Sequence, residues 1–159
     1  MNISIICVGK IKEAYYREAL EEYVKRLSKY CKTDIIEVRD EQTKEGASDR
    51  EESMIKDAEG ARILDRIPNG AYVIATAIEG RRMTSEQFAA TMDSLGVKGI
   101  SRLVFIIGGS LGLSDEVKKR ADMLLSFSDM TYPHQLMRVI LAEQIYRAYR
   151  IIKGEPYHK

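Results

Sequence analysis

Five short apolar runs alternate with segments of helical periodicity along the 159 residues, and this alternation limits the fold more than any other feature. The runs are Asn2–Val8, Thr33–Val38, Tyr72–Ala77, Leu103–Ile107 and Met123–Phe127. Each has the length of a strand, not of a helix. Between the first two, Tyr16, Ala19, Leu20, Tyr23, Val24, Leu27 and Tyr30 share one face of a helix predicted from Lys12 to Tyr30. Ser48 with Glu51, and Thr84 with Gln87, have the spacing of capping boxes that open the next two helices. The first of these runs to about Ile67; its many charges and its internal Gly60 mark it as peripheral. Glu79-Gly80-Arg81-Arg82 reads as a loop. Ser114-Asp115-Glu116 opens a short helix, with acidic residues where the helix dipole favours them. Pro133 begins a last helix that Gly154 and Pro156 end near Lys153. Strict alternation of strand and helix implies an α/β three-layer sandwich with a largely parallel sheet. No repeat, linker or low-complexity segment divides the chain, so residues 1–159 are read as a single domain.

Composition narrows function mainly by exclusion. Hydrophobic residues are 45% of the chain, charged residues 31%, and the net charge is +1, so no strong overall field draws the protein to nucleic acid or membrane. The charge is unevenly placed, however. Residues 37–66 hold ten acidic and six basic side chains, whereas residues 131–159 hold five Lys or Arg against two Glu. A basic carboxyl-terminal end can still meet phosphates. No run is long enough for a membrane span and none has the form of a secretory signal. Cys7 and Cys31 are too far apart for a metal motif or a disulfide framework. The expectation is a cytoplasmic protein with no metal.

The stretch from Leu103 to His134 contains the strongest candidate site. Leu103-Val104-Phe105-Ile106-Ile107 ends abruptly at Gly108-Gly109, and Met123-Leu124-Leu125-Ser126-Phe127 ends in the polar loop Ser128-Asp129-Met130-Thr131. Ligands of open α/β sheets bind outside the carboxyl ends of strands, and glycine permits close approach of a ligand to backbone. Gly108-Gly109-Ser110-Leu111-Gly112 is not a dinucleotide fingerprint, and no phosphate-loop lysine follows it. It does match the Gly-x-Ser-x-Gly pattern of serine hydrolases, with Asp129 and His134 following in order. Against that reading, the helix start signal lies at Ser114, four residues beyond the serine.

The last helix adds a second point of interest. Its apolar residues leave little of the circumference polar, which calls for burial on most sides, in part by a second subunit. Arg138 lies on an apolar side and needs a partner, either a carboxylate in the core or a substrate phosphate. Tyr157-His158-Lys159 would ordinarily fray, but Gly154 and Pro156 set a turn just before them.

Taken together, Phe105-Ile106-Ile107-Gly108-Gly109, Leu125-Ser126-Phe127-Ser128, Thr131-Tyr132-Pro133-His134, Arg138, Glu143-Gln144-Ile145-Tyr146-Arg147-Ala148 and Pro156-Tyr157-His158 resemble the SPOUT class of methyltransferases. Within it, the chain resembles the family that methylates N3 of a pseudouridine in 23S rRNA. The likeness extends over the whole chain. It implies a sandwich whose carboxyl-terminal part is threaded into a trefoil knot, a topology nearly absent elsewhere. It implies S-adenosylmethionine as cofactor, held at Thr76, at Gly108 and along Phe127, Ser128, Asp129, Met130, Thr131 and Tyr132. It also implies a homodimer acting on 23S rRNA in the large subunit or assembled ribosome. His158 is then the first choice for a base that removes the N3 proton, since imidazole accepts protons near neutral pH. Tyr157 would stack on or orient the target base, and Arg138 would bind a substrate phosphate or polarise the base. One departure stands out: Ala75-Thr76-Ala77 occupies the place where the family commonly has Ala-Leu-Asp. Beside this reading stand a serine hydrolase using Ser110 and a non-catalytic ribosome-binding module.

Overall fold

The computed structural model describes residues 1–157. Its elements follow the expected order: β1 (Asn2–Val8), α1 (Ala14–Leu27), β2 (Lys32–Val38), α2 (Asp49–Asp65), β3 (Tyr72–Arg82), α3 (Ser85–Val97), β4 (Arg102–Ile107), α4 (Asp115–Arg120), β5 (Met123–Ser126) and α5 (His134–Ile152). The five strands form one sheet in the order β2-β1-β4-β3-β5, and all four pairings are parallel.

Alternating side chains divide the sheet into two buried faces. From β1 and β4, Ile3, Ile5, Cys7, Leu103, Phe105 and Ile107 point to one face, where Phe88 and Met92 of α3 and Leu141 and Ile145 of α5 cover them. Ile6, Val8, Val104 and Ile106 point to the other, against Ile63 of α2 and Val117 of α4. Two helical layers therefore enclose the sheet, and β1 from Ile5 and β4 from Leu103 are continuously apolar because both of their faces are covered. Cys7 belongs to this core, and burial pushes its thiol up to about 12, so it stays protonated and inert. Both capping boxes form: Ser48 accepts from the Glu51 amide and Thr84 from the Gln87 amide.

Two expectations are corrected. Helix α2 is not peripheral, because Glu59, Gly60 and Ile63 are buried. Gly60 is what lets α2 approach α4: a Cβ there would lie 2.3 Å from the Ser114 hydroxyl oxygen, the side chain that caps α4 through the Val117 amide. Residues 79–82 are not a loop either. They extend β3, which pairs with β5 at Ile74–Thr76, shifts register, and pairs with it again at Arg81 and Arg82. Their polarity hides this second pairing, which depends on a distant strand and not on local sequence.

Gly80 sits in the register shift, where the two backbones come closest. A Cβ at Gly80 would lie 2.7 Å from backbone atoms of Leu124 and Leu125, which cannot rotate aside. Gly80→Ala is expected to lower stability by about 1–3 kcal/mol, measured by urea unfolding with the midpoint shifted and the slope unchanged. An unchanged midpoint would show that β3 and β5 separate here at no cost.

Candidate active site

The carboxyl ends of β3, β4 and β5 open into one cavity of about 610 Å³. This is within the size range of small-molecule and cofactor sites. Its walls come from Thr76 to Glu79 after the first half of β3, Ile107 to Leu113 after β4, Leu125 to Ser128 and Met130 to Tyr132 after β5, and the start of α5. Lys56 of α2 and Lys118 of α4 stand at its edge.

Each wall has a local reason for its shape. Beyond β4, Gly112 adopts a φ of +88°, its amide donates to the Gly109 carbonyl (3.1 Å), and a tight turn results. A Cβ on Gly108 would lie 3.0 Å from the Gly112 backbone and from Leu113, so this position is closed to side chains. Beyond β5, the Ser128 hydroxyl accepts from the Met130 amide (2.9 Å) and the Ser126 hydroxyl donates to the Ser128 carbonyl (3.3 Å). Asp129 leaves the cavity and pairs with Arg82 of the β3 extension. Thr76 donates its hydroxyl proton to the Ile106 carbonyl (3.0 Å), tying β3 to β4 at the cavity floor. Ile78, Met130 and Tyr132 are apolar side chains exposed around the mouth.

Most residues expected to hold the cofactor are therefore brought together. Thr76, Gly108, Phe127, Ser128, Met130, Thr131 and Tyr132 all line the cavity, whereas Asp129 belongs to the same loop but turns away to Arg82. The expected catalytic residues are not among the lining. Arg138 has no solvent exposure. Its Nη2 donates to the carbonyls of Val8 (2.9 Å) and Gly9 (2.8 Å), and its Nη1 is 3.8 Å from the Glu37 carboxylate. Of the two partners left open by the sequence, the structure supplies the protein ones. Tyr157 lies along α5, its hydroxyl donating to Glu143 Oε1 (3.1 Å). His158 lies outside the described residues.

Several cavity residues lie outside the expected cofactor set. Glu79 pairs with Lys118 (2.5 Å) at the cavity edge, which lowers the Glu79 pKa and ties β3 to α4. His134, the first residue of α5, lines the cavity directly. A Cβ at Gly9 would be 3.7 Å from both His134 Nε2 and the Asp40 carboxyl carbon, so the imidazole stands beside the Asp40 loop at the end of β1. Burial depresses the His134 pKa first, the Arg138 guanidinium adds to this, and Asp40 opposes it. The long-range nature of these contacts leaves no local pattern that would have found them, although the Thr131-Tyr132-Pro133-His134 motif did point to the region.

The hydrolase geometry is absent. Ser110 is exposed on the tight turn, no helix begins until Asp115, Asp129 is engaged by Arg82 and His134 stands beside Asp40. A nucleophile needs a base within hydrogen-bond reach, itself oriented by a third group. Among the described residues no cluster of His, Cys, Asp and Glu could hold a metal ion. No helix of the described residues is long and apolar enough to cross a membrane.

A parallel α/β sandwich with a glycine-lined cavity at three strand ends is an arrangement that can receive a small-molecule ligand, and comparison with known proteins gives its class. A family model described as "Predicted SPOUT methyltransferase" matches residues 1–158. A probable methylase family protein from Haemophilus influenzae Rd KW20 has a similar fold, with a TM-score of 0.56 and 11% identity over 99% of this chain and 70% of that one. The curated relatives are closer. Ribosomal RNA large subunit methyltransferase H of Clostridioides difficile (strain 630) is 62% identical over the full length of both chains, and that of Bifidobacterium animalis subsp. lactis (strain AD011) is 60% identical over the same span. The chain belongs to the SPOUT methyltransferases, in the ribosomal RNA large subunit methyltransferase H family.

The depressed His134 pKa has a consequence for stability. A histidine whose folded pKa is below its unfolded value favours the fold while neutral, and that contribution is lost as pH falls below about 6.5 towards the folded value. Thermal unfolding of the wild type and of His134→Gln between pH 8 and pH 5 is expected to show a steeper fall below pH 6.5 for the wild type. Parallel curves would mean that His134 titrates normally in the fold.

Proposed function

We propose that this protein transfers a methyl group from S-adenosylmethionine to N3 of a pseudouridine in 23S rRNA, acting in the cytoplasm on the large subunit or the assembled ribosome. The observation that carries this reading is the coincidence of two independent sets. The residues that the family resemblance assigns to the cofactor lie, Asp129 apart, among those that wall the strand-end cavity. Relatives named as large-subunit methyltransferases at 60–62% identity over the full length support the choice of substrate.

The residues present fit the cofactor. Gly108 lets the loop after β4 fold closely on itself at Gly112 and Leu113, Leu125, Phe127 and Met137 offer apolar walls, and loop backbone offers polar groups. The departure at Thr76 is compatible with this fit, because its hydroxyl proton is already given to Ile106 and adds no free donor to the cavity. When bound, S-adenosylmethionine supplies an activated methyl that a nitrogen nucleophile displaces in line. The loops then have mainly to hold and orient, and positioning accounts for much of such a rate. Arg138 acts through the backbone it holds and not by touching substrate, since it is fully buried. A base is still needed for the N3 proton. We assign it to His158, with Tyr157 orienting the target base.

The proposed protein is a single domain, residues 1–159, knotted as a trefoil and working as a homodimer. Ile78, Met130 and Tyr132, exposed at the mouth, and Leu136 and Ile140, half-exposed on the neighbouring first turns of α5, form an apolar margin that a partner subunit would cover. Tyr157 lies away from the cavity of its own chain, so the tail is assigned to the cavity of the partner subunit.

Labelled S-adenosylmethionine and purified ribosomes should give label at one pseudouridine of 23S rRNA, and His158→Ala should lower the rate at least tenfold, the lower end of what a positioned base contributes at about 10²–10⁴ being allowed for residual water catalysis. Gly108→Ala, which presses on the Gly112 backbone and reshapes the loop after β4, should weaken cofactor binding in calorimetry, with folding checked by Tm. Absence of cofactor binding by the wild type would favour a ribosome-binding module without catalysis.

A further inference from the structure

The carboxyl-terminal tail is held by a set of ion pairs and hydrogen bonds outside the buried core. Helix α5 ends at Gly154, whose φ of +64° reverses the chain, with the Glu155 amide donating to the Arg150 carbonyl (2.8 Å) and the Gly154 amide to Ile151 (3.0 Å). The Glu155 carboxylate then receives three donors from two helical regions. These are the Tyr30 hydroxyl just beyond α1, Lys29 Nζ (3.2 Å) and Arg150 of α5. Arg150 Nη2 also donates to the Pro156 carbonyl (2.9 Å). Past this clamp, the Tyr157 ring meets Tyr146 edge-on at 5.0 Å, lies under the Arg147 guanidinium at 4.8 Å, and gives its hydroxyl to Glu143. Residue 157 therefore reaches back to residue 143, about two and a half helical turns before the helix ends.

None of these side chains belongs to the buried sets that close the two faces of the sheet, although Tyr146 packs at their margin. A terminal segment after a helix-ending glycine normally frays at little cost to the rest of the domain. Here one carboxylate gathers a hydroxyl and two cations, and a second carboxylate anchors the next aromatic ring. We propose that Glu155 and Glu143 are positioning residues for methyl transfer: they fix the reversed course of the tail so that the residues it carries are presented in one orientation. This inference rests on the assignment of Tyr157 and His158 to the reaction.

The test uses full-length protein with ribosomes, reading kcat and KM for methyl transfer, cofactor affinity by calorimetry, and Tm. A chain ending at Gly154 serves as the reference for the tail itself. Glu155→Ala is expected to lower kcat by about 10- to 100-fold, the range that misplacement of a reacting group by about 1 Å produces. Its cofactor affinity should stay within about twofold, which loss of the cavity would not allow. Glu155→Asp should recover part of the rate, and Tyr30→Phe, which removes one donor to the clamp, should lower kcat in the same direction. A truncated chain that is inactive beside a fully active Glu155→Ala would overturn the clamp while leaving the tail its role. A truncated chain with full activity would overturn the role of the tail and the clamp with it. Loss of cofactor affinity or of Tm in Glu155→Ala, joined to an unaffected Tyr30→Phe, would reduce the clamp to a structural feature and overturn the proposal.

Discussion

A guanidinium without solvent exposure holds the carboxyl end of β1 to the start of α5, and the cavity depends on that contact. Arg138 gives one nitrogen to two backbone carbonyls, while its Nε and Nη1 have no hydrogen-bond partner and only the Glu37 carboxylate nearby. Removing such a charge from water costs several kcal/mol. Hydrogen bonds to a charged group return about 1.5–3 kcal/mol each. The balance is close to even, so stability alone is a weak reason for an arginine at this place. Its distinctive effect is positional. It sets where α5 begins relative to β1, and His134, one turn before it, and Met137, the residue just before it, are thereby set against the cavity. Gln135 completes the arrangement by accepting from the amides of Lys12 and Glu13 at the start of α1. The first turn of α5 thus serves three partners: a strand end, a helix start and a ligand site.

The cavity follows from the strand order. Strand β5 lies at one edge, and the chain must return from it past β3 and β4 to bring α5 beside β1. Residues 127–133 make that passage across the carboxyl ends of the strands, and the loop after β4 meets them there. Loop convergence at strand ends is the general origin of ligand sites in such sheets. What distinguishes this case is how firmly the loops are held: Asp129 to Arg82, Glu79 to Lys118, and β3 to β5 through the close approach at Gly80. The surface ion pairs contribute little to stability individually, but each joins two different walls of the same cavity.

Features with a local cause were legible in the sequence. Continuous apolar runs gave away β1 and β4 because both faces of each are covered, and Ser48 with Glu51 announced a helix start through its own hydrogen bonds. The cofactor loops could be placed because a glycine pair and a polar loop directly follow apolar strands. Features with distant causes were hidden. The extension of β3 is paired by the distant β5, the burial of α2 comes from Ile63 against the sheet and Gly60 against Ser114, and the partners of Arg138 are about 130 residues away in sequence. The trefoil knot that the family resemblance implies would be hidden in the same way, since threading leaves no trace in composition or periodicity.

The two ends of α5 set the remaining problem. Nineteen residues span roughly 28 Å at 1.5 Å per residue. The amino end borders the cavity, whereas the tail leaves from the other end and reaches back only as far as Glu143. From Glu143 to His134 is still roughly 14 Å along the helix. A tail held this way does not meet the cavity of its own chain through Tyr157. If the tail supplies the reacting groups, a two-fold partner must bring the carboxyl end of one α5 to the amino end of the other, and the half-exposed Leu136 and Ile140 lie on the helix that such a pairing would join. A clamp that stiffens the tail has value in that arrangement in particular, because a group delivered across a subunit boundary cannot rely on its own chain's cavity to orient it.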